Sequence, residues 1–399
     1  MLSPFSSLRM AAQDPILGLN ELFKLEKNQN KVNLGIGVYT GEDGRIPLLA
    51  SVAAAEKKIT ESPAPWAYLP IDGITSFDLA TQRIVFGTDH SAIADHRIMT
   101  VQALGGTGGI KIGADFLKHV NSEALVLISD PSWENHRAIF ENAGFMVDSY
   151  PYYSEFDKSI NLQGMLARFS SASPGTIVVL HACCHNPTGY DLSDAEWNKV
   201  VEICRERNLL PFIDMAYQGF ANGLLEDRFV VQKFLNAGLY FLVANSFSKS
   251  FSLYGERVGA LSIATASEEE SVKVLSQVKR FVRSNYSSPP THGAQVVSTI
   301  LNSPDLTLLW EDELRGMRSR IKVMREALAN ELKSITGSDV FNHIRHQQGM
   351  FSYSGLSGEQ MRVLREAYGV YGLASGRICV AALNSKNVGY VAKSIAAVL

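Results

Sequence analysis

One loop of this chain combines a primary amine with groups that bind anions. Lys249 lies within residues 245–259, flanked by Ser246 and Ser248, and Arg257 follows eight positions later. Two hydroxyls and a guanidinium close to one amine could hold a phosphate or a carboxylate. An amine that is partly desolvated beside a fixed cation has its charged form disfavoured, which frees it as a nucleophile for a carbonyl group.

These groups would suit a lysine that holds an aldehyde cofactor, pyridoxal 5'-phosphate, as a Schiff base. The alternative is a solvated serine-rich loop that happens to carry one lysine, because a short motif is only a hypothesis. The apolar stretches 239–244 and 258–264 on either side of the loop both predict strands. Lys249 is therefore expected just past the C-terminal end of a buried strand, at the sheet edge where ligands of open α/β proteins collect.

Before the lysine strand, the chain alternates predicted strands and helices. Strands are predicted at 99–104, 124–129, 176–183 and 209–214, and helices at 105–119, 133–142 and 193–207. The last of these helices opens on Ser193-Asp194-Ala195-Glu196, a capping box. This alternation predicts an α/β fold with a mostly parallel sheet covered by helices on both faces.

Two further groups are predicted at the same edge of the sheet. The glycine-rich run 105–109 joins a strand to a helix, so its backbone amides could hold a phosphate, although a tight turn explains it equally well. It matches neither the dinucleotide pattern G-x-G-x-x-G nor the nucleotide pattern G-x-x-x-x-G-K, which weakens both of those interpretations. Asp214 ends another predicted strand, where a carboxylate could keep a pyridine nitrogen protonated or simply cap a helix.

The last third of the chain predicts a second unit. A long helix starts near Pro304, and its apolar residues at steps of three and four form one face. The residues of this face are Trp310, Leu314, Met317, Ile321, Met324, Leu328 and Leu332. We expect a large cofactor-binding domain at 46–314 and a small α+β domain, with an N-terminal arm, formed by 1–45 together with 315–399.

Composition excludes several classes of function. The 399 residues carry a net charge of −3 with 46% hydrophobic and 19% charged residues, which is typical of a globular protein and predicts no nucleic acid or membrane partner. No apolar run approaches the ~18 residues of a membrane span, and residues 1–10 have no secretory core. The four cysteines (Cys183, Cys184, Cys204 and Cys379) lack CxxC spacing, so we expect reduced thiols in a cytoplasmic enzyme and no metal site.

Together with the lysine loop, five further motifs resemble class I aminotransferases of the aspartate and aromatic-amino-acid group. They are Gly35-Ile36-Gly37-Val38-Tyr39, Tyr68-Leu69-Pro70-Ile71-Asp72-Gly73, His185-Asn186-Pro187-Thr188-Gly189, Arg283-Ser284-Asn285-Tyr286-Ser287 and Ala374-Ser375-Gly376-Arg377. The motifs span nearly the whole chain in the family's order. The stretches around Cys183 and 251–257, with Ser287-Ser288-Pro289-Pro290, look most similar to the bacterial aromatic (tyrosine) branch.

The resemblance implies roles for named residues. Catalysis would involve Lys249, Asp214 and Tyr217. The cofactor would be held by Gly106, Thr107, Trp133, Asn186, Asp214, Tyr217, Ser246, Ser248, Lys249 and Arg257, with Tyr68 from a partner subunit. Substrate would contact Gly37, Trp133, Asn186 and Arg377, with Arg283 from the partner. On local sequence alone, Trp133 could be a core aromatic, Arg283 a solvated helix-end side chain, and His185 a structural residue.

The resemblance further implies a fold-type-I, pyridoxal-phosphate-dependent transferase that acts as a homodimer with shared active sites. It would move the amino group of tyrosine, phenylalanine or aspartate to 2-oxoglutarate in a ping-pong reaction between amino acids and 2-oxo acids. Three alternatives stay open: a dedicated aspartate aminotransferase, a pyridoxal-phosphate β-lyase or decarboxylase, and a cofactor-sensing regulator. The regulator is disfavoured because no basic helix-turn-helix region is present.

Two residues depart from the family pattern. Ser250 follows the lysine where asparagine or isoleucine is usual, and Gly372 stands where a larger apolar residue is usual. The glycine leaves the volume of the substrate pocket open, and both departures leave the substrate preference open without touching the core chemistry.

Overall fold

The computed structural model describes residues 3–11, 14, 16–65 and 67–399. Its α-helices, in chain order, are α1 Leu17–Leu25, α2 Ala50–Glu61, α3 Thr75–Phe86, α4 Ser91–Ala94, α5 Gly105–Val120, α6 Glu134–Asn142, α7 Leu162–Ser170, α8 Asp194–Glu206, α9 Leu224–Asp227, α10 Phe229–Asn236, α11 Glu268–Asn285, α12 His292–Leu301, α13 Pro304–Thr336, α14 Gly358–Tyr368 and α15 Val388–Ala396. Its strands are β1 Val32–Asn33, β2 Ile98–Leu104, β3 Leu125–Asp130, β4 Met146–Pro151, β5 Tyr153–Ser154, β6 Ser159–Ile160, β7 Ile177–His181, β8 Leu210–Met215, β9 Phe241–Ser246, β10 Val258–Ala264, β11 Phe351–Tyr353, β12 Val370–Tyr371 and β13 Arg377–Cys379. In the described ranges, no helix combines the length and the apolarity needed to cross a membrane.

The main sheet has the strand order β2-β10-β9-β8-β7-β3-β4. Strand β10 is antiparallel to both of its neighbours, and the other pairs are parallel. The prediction of a mostly parallel sheet is therefore confirmed, and the predicted strands agree with the observed ones to within two residues or so. Edge strand β4 was not predicted, because its sequence alternates between exposed and half-buried residues and contains no long apolar run.

Helices cover both faces of the sheet. Successive residues of a strand point to opposite faces, so Phe212 packs in a core with α5, α6 and α11, whereas Ile213 packs with α3, α7, α8 and α10. Gly113 of α5 allows the close approach of Phe212, since a Cβ at this glycine would lie 2.5 Å from the ring atom Cζ. Two buried cores therefore hold the central strands rigidly in place.

The long helix α13 joins the sheet to the C-terminal part of the chain. All seven residues of its predicted apolar face are buried, which confirms the helical pattern. Arg325 on the same helix is also buried, and it donates hydrogen bonds to the carbonyl oxygens of Gly349 and Phe351 at 2.7 and 3.0 Å. Helix α13 thereby fixes the segment that leads into β11.

Two small sheets organise the C-terminal part of the chain, and one of them includes an N-terminal strand. Strand β1 pairs with β12 in parallel, with Val32 opposite Val370, and β11 pairs with β13 in antiparallel. Of the stretch 31–39, the residues Val32–Asn33 form a strand. The division into a large and a small domain stays a prediction, and the β1–β12 pairing is compatible with it.

The C-terminal ends of five strands open to one edge of the main sheet. Strands β2, β9, β8, β7 and β3 run in the same direction, because β2 and β9 are both antiparallel to β10. In register, His181 lies opposite Asp214, which lies opposite Ala244. Side chains that follow these strand ends are therefore brought together, as the sequence predicted.

Candidate active site

A cavity of about 280 Å³ lies at this edge, between the strand ends and residues of β11 and β13. It is lined by every predicted site residue except Tyr68 and Arg283. The predicted residues that line it are Gly37, Gly106, Thr107, Trp133, Asn186, Asp214, Tyr217, Ser246, Ser248, Lys249, Arg257 and Arg377. Residues separated by more than 300 positions in the chain therefore face one space.

Lys249 lies just past β9 and extends its amine into the cavity. Its Nζ lies 4.9 Å from the centroid of the Tyr217 ring, and no carboxylate of the described residues forms a salt bridge with it. Burial lowers the pKa of Lys249 to about 8; the charge of Asp214 opposes this effect, and those of Arg257 and Arg377 add to it. Near neutral pH a larger fraction of this amine is therefore unprotonated than in a free lysine.

An anion cradle lies beside the lysine. Gly105 begins α5 with φ of +70°, and a Cβ at this position would lie 2.5 Å from Nη2 of Arg257, so only glycine fits there. A Cβ at the next residue, Gly106, would lie 3.2 Å from Cβ of Ser246, and Nη1 of Arg257 donates to Ser248 Oγ at 3.3 Å. The free backbone N–H groups of a helix start, two hydroxyls and a guanidinium thus converge, which is the donor set that a phosphate requires.

Asp214 is held by a buried histidine that the sequence did not reveal. Nε2 of His136 lies 2.9 Å from Oδ2 of Asp214, and Nδ1 of His136 lies 3.0 Å from Oγ of Ser132. Burial acts to raise the pKa of Asp214, but the hydrogen bond from His136 and the nearby positive charges outweigh it and lower the pKa below its usual value. The carboxylate therefore stays ionised, as it must to hold a protonated pyridine nitrogen.

His136, His181 and Asp214 bring potential metal-ligand atoms within 4.8 Å of one another. Both ring nitrogens of His136 already have hydrogen-bond partners, in Asp214 and Ser132. Burial, with the charge of His136, lowers the pKa of His181 to about 3, so this imidazole is neutral. His136 is therefore best described as a hydrogen-bonded support for Asp214, and the His181 ring packs beside it, with centroids 5.0 Å apart.

Arg377 provides a second anion site on the opposite wall. Its side chain is 1% exposed, and the guanidinium carbon lies 4.2 Å from the centroid of the Phe351 ring. Nη1 donates a hydrogen bond to Asn186 Oδ1 at 3.1 Å, and Nη2 donates one to the Gly35 carbonyl at 2.8 Å. Its Nε has no hydrogen-bond partner, and no carboxylate of the described residues pairs with it. A buried, unpaired guanidinium is costly, and a carboxylate of a substrate would compensate it.

Aromatic rings complete the cavity. Tyr217 is buried on the loop after β8, which raises the pKa of its hydroxyl, and its ring meets the Phe351 ring edge-on at 5.9 Å. Trp133, at the start of α6, forms another wall. Gly37 allows the approach of Phe351, since a Cβ at this glycine would lie 2.6 Å from Cζ of the ring. Together these contacts form a flat, largely apolar slot that suits an aromatic cofactor ring.

Tyr68 and Arg283 lie outside the cavity. They share a surface depression of about 310 Å³ with Leu69, Ile71, Ser287 and Ser288. Tyr68 is 93% exposed, and Nη1 of Arg283 donates to Ser287 Oγ. Within one chain, these two residues therefore do not contribute to the site that the other predicted residues form.

The two departures from the family pattern do not line the cavity either. A Cβ at Gly372 would lie 2.4 Å from Cε of Met361, so the methionine fills the space that a larger residue would take. Ser250 is 5% exposed, and its carbonyl accepts a hydrogen bond from Trp310. Neither residue is therefore part of the direct lining of the cavity.

Several lining residues were not predicted. Besides His181, they include Tyr254 and the apolar side chains of Ile16, Ile36, Val38, Ile110 and Phe351. For His136 one local signal existed, because it lies three residues after Trp133 and thus on the same helical face. For the apolar residues no local signal distinguishes a cavity wall from the core.

Comparisons with known proteins agree with this geometry. The family model described as aminotransferase class I and II matches residues 29–395. The chain is 53% identical over 398 residues to aspartate aminotransferase of Pseudomonas aeruginosa, covering 100% of both chains. It is 48% identical over 396 residues to aromatic-amino-acid aminotransferase of Escherichia coli, covering 99% of this chain and 100% of the relative. It also superposes on a crystal structure of aromatic-amino-acid aminotransferase from Burkholderia pseudomallei, covalently bound to pyridoxal phosphate, with a TM-score of 0.97, 55% identity and 100% coverage of both chains.

Proposed function

The chain belongs to the class I and II aminotransferase family, and we propose that it transfers the amino group of tyrosine, phenylalanine and aspartate to 2-oxoglutarate. It is a pyridoxal-phosphate-dependent enzyme with the expected fold-type-I α/β architecture. One observation carries the proposal. A lysine with a lowered pKa and a buried arginine without a carboxylate partner face the same cavity, which also contains a phosphate cradle.

The residues on the cavity wall fit the cofactor, and we assign them as follows. Gly106, Thr107, Ser246, Ser248 and Arg257 would hold its phosphate. Asp214 would hold its ring nitrogen, Asn186 and Tyr217 its phenolic oxygen, and Trp133 one face of its ring. When bound, pyridoxal phosphate supplies an electron-withdrawing ring that stabilises negative charge at the substrate Cα.

The chain's own residues then supply binding and proton transfer. Arg377 would grip the substrate α-carboxylate with its planar fork, while Asn186 and the Gly35 carbonyl keep that fork oriented. The neutral amine of Lys249 would accept the Cα proton and later return one, as general base and then general acid. Since Nζ rests over the Tyr217 ring, the amine is held on the side of the cavity where it is needed.

A homodimer completes the proposal. Tyr68 and Arg283 lie together in one surface depression, away from the cavity of their own chain. We propose that a second copy docks there, so that Tyr68 reaches the partner's phosphate site and Arg283 faces the second carboxylate of a dicarboxylic substrate. The large and small domains, at 46–314 and at 1–45 with 315–399, and a cytoplasmic location belong to the same proposal.

A dedicated aspartate aminotransferase is the second candidate, since a relative that is 53% identical carries that name. A donor panel with 2-oxoglutarate as acceptor separates the two. Turnover of phenylalanine and tyrosine within about tenfold of aspartate, in kcat/KM, supports dual specificity. Turnover of aspartate alone would support the dedicated enzyme, and release of CO₂ or pyruvate without transfer of nitrogen would indicate a decarboxylase or β-lyase.

A further inference from the structure

Trp310 of helix α13 contacts the lysine loop in two ways. Its indole Nε1 donates a hydrogen bond to the carbonyl oxygen of Ser250 at 2.8 Å. Its ring stacks on the Phe251 ring, with centroids 4.3 Å apart and planes at 17°. Trp310 is fully buried. Both contacts therefore fall on the two residues that directly follow Lys249.

Other contacts hold the loop as well. From outside, the N–H of Tyr39 donates to Oη of Tyr254 at 2.8 Å, and the Phe77 ring of α3 meets the Phe247 ring edge-on at 5.5 Å. The Lys249 carbonyl accepts the N–H of Ser252 at 3.1 Å, and the Phe247 carbonyl accepts the N–H of Phe251 at 3.3 Å. The Phe247 ring meets Phe251 edge-on at 5.5 Å. Next to Lys249 itself, the hydrogen bond to the Ser250 carbonyl relates the loop to α13.

The same part of α13 also holds the neighbouring loop of the site. Nη1 of Arg318 donates to the Gly219 carbonyl at 2.7 Å, and a Cβ at Gly219 would lie 2.4 Å from Cδ2 of Leu314. This loop follows Asp214 and Tyr217. The loops that carry Lys249 and Tyr217 therefore both contact one segment of α13, within about two turns of Trp310.

We propose that Trp310 is a positioning residue for Lys249. Its N–H fixes the peptide group after the lysine, and with it the direction in which the side chain enters the cavity. This proposal rests on the proposed role of Lys249 as the residue that carries the cofactor.

The position of the amine matters because no salt bridge holds it. Nζ contacts the face of the Tyr217 ring, and its charge state reflects burial together with its distances from Asp214, Arg257 and Arg377. Electrostatic energy varies inversely with distance and is large in a site of low dielectric constant. A small shift of the loop therefore changes the pKa of the amine, even where the rest of the fold stays the same.

A purely structural tryptophan would behave differently. Trp197 is a matched control, because it is 3% exposed and packs edge-on against Phe234, with centroids 6.3 Å apart, without touching the lysine loop. Trp310→Phe keeps an aromatic ring against Phe251 but removes the N–H donor. Trp197→Phe removes a buried indole of the same size from the core of the main sheet.

The experiment is a pH titration of the absorbance band of the Lys249-bound cofactor in the wild-type holoenzyme and both variants. We expect the midpoint to move by about 0.5 unit or more in Trp310→Phe and by no more than about 0.2 unit in Trp197→Phe. Amide hydrogen exchange of residues 249–252 should accelerate by about tenfold in Trp310→Phe alone. If Trp310→Phe does not fold, site-specific replacement of Trp310 by 3-benzothienylalanine keeps the shape of the indole without its N–H.

The outcomes separate the two levels of the proposal. A wild-type holoenzyme that lacks the absorbance band of a lysine-bound cofactor would contradict the role of Lys249 itself. A normal wild-type titration that Trp310→Phe reproduces, with unchanged amide exchange, would overturn the positioning role of Trp310 and leave that of Lys249 intact.

Discussion

Replacing Arg377 by lysine tests how the site recognises its substrates. Arg377→Lys keeps the positive charge but removes the planar fork that the guanidinium presents. In the structure two of the guanidinium nitrogens already bond to Asn186 and the Gly35 carbonyl, and Nε has no partner. A lysine ammonium cannot satisfy these two groups and still meet a carboxylate with two parallel hydrogen bonds.

The expected loss follows from the number of hydrogen bonds. A hydrogen bond to a charged group contributes about 1.5–3 kcal/mol. Losing one of the two hydrogen bonds to the substrate α-carboxylate therefore corresponds to a decrease in kcat/KM of about 10- to 150-fold. Since every amino-acid donor carries an α-carboxylate, the decrease should be similar for aspartate and phenylalanine. The loss should appear in KM and in kcat, because the same contact orients Cα toward Lys249.

The assay is the half-reaction with each amino acid, followed by the absorbance of the cofactor under single-turnover conditions. Arg325→Lys is the matched control, since Arg325 is a buried guanidinium that does not line the cavity. A loss in Arg377→Lys that is no larger than in Arg325→Lys would refute the role of Arg377 in substrate recognition. So would a loss confined to one of the two donors.

Three further outcomes are expected. Arg283→Ala should reduce kcat/KM of the half-reaction for aspartate by roughly 30-fold or more, because removing one member of a desolvated charge pair costs ~2–5 kcal/mol. The reduction for phenylalanine should be much smaller, and equal losses for the two donors would mean that Arg283 is structural. Asp214→Ala should slow Cα proton removal by about 100-fold or more, and Asp214→Glu by less; an undiminished single-turnover rate in Asp214→Ala would contradict this role. Lys249 must be neutral to attack a carbonyl, and its pKa is lowered to about 8. The rate at which cofactor is loaded into the apoenzyme should therefore rise with pH and level off above about pH 8. A rate that still climbs toward pH 10 would contradict the lowered pKa.

The elements and residues that could be predicted are those with local signals. Buried parallel strands are short apolar runs, and the groups that follow them, such as Lys249 after β9 and Asp214 at the end of β8, are adjacent in the sequence. The capping box at Ser193 and the apolar face of α13 are likewise short-range patterns, and both are present. Edge strand β4 was missed because its exposed face removes the apolar run.

The rest of the site depends on contacts between distant segments. His136 and Asp214 are 78 positions apart, Trp310 and Ser250 are 60 apart, and Arg377 lies 191 positions from Asn186. No periodicity or motif relates such pairs, since tertiary packing alone brings them together. For the same reason nothing in the sequence indicated that the Ser250 carbonyl bonds to α13.

The central claim is that Lys249 and Arg377 face one cavity in which nitrogen leaves an amino acid and stays on the enzyme. Its most direct test mixes the loaded enzyme with excess phenylalanine or aspartate in the absence of any acceptor. We expect one equivalent of 2-oxo acid per site, no free ammonia or CO₂, and restoration of the original absorbance when 2-oxoglutarate is added. Lys249→Ala should lose the release of 2-oxo acid and the change in absorbance. Release of ammonia or CO₂ in place of the 2-oxo acid, or an undiminished yield from Lys249→Ala, would contradict it.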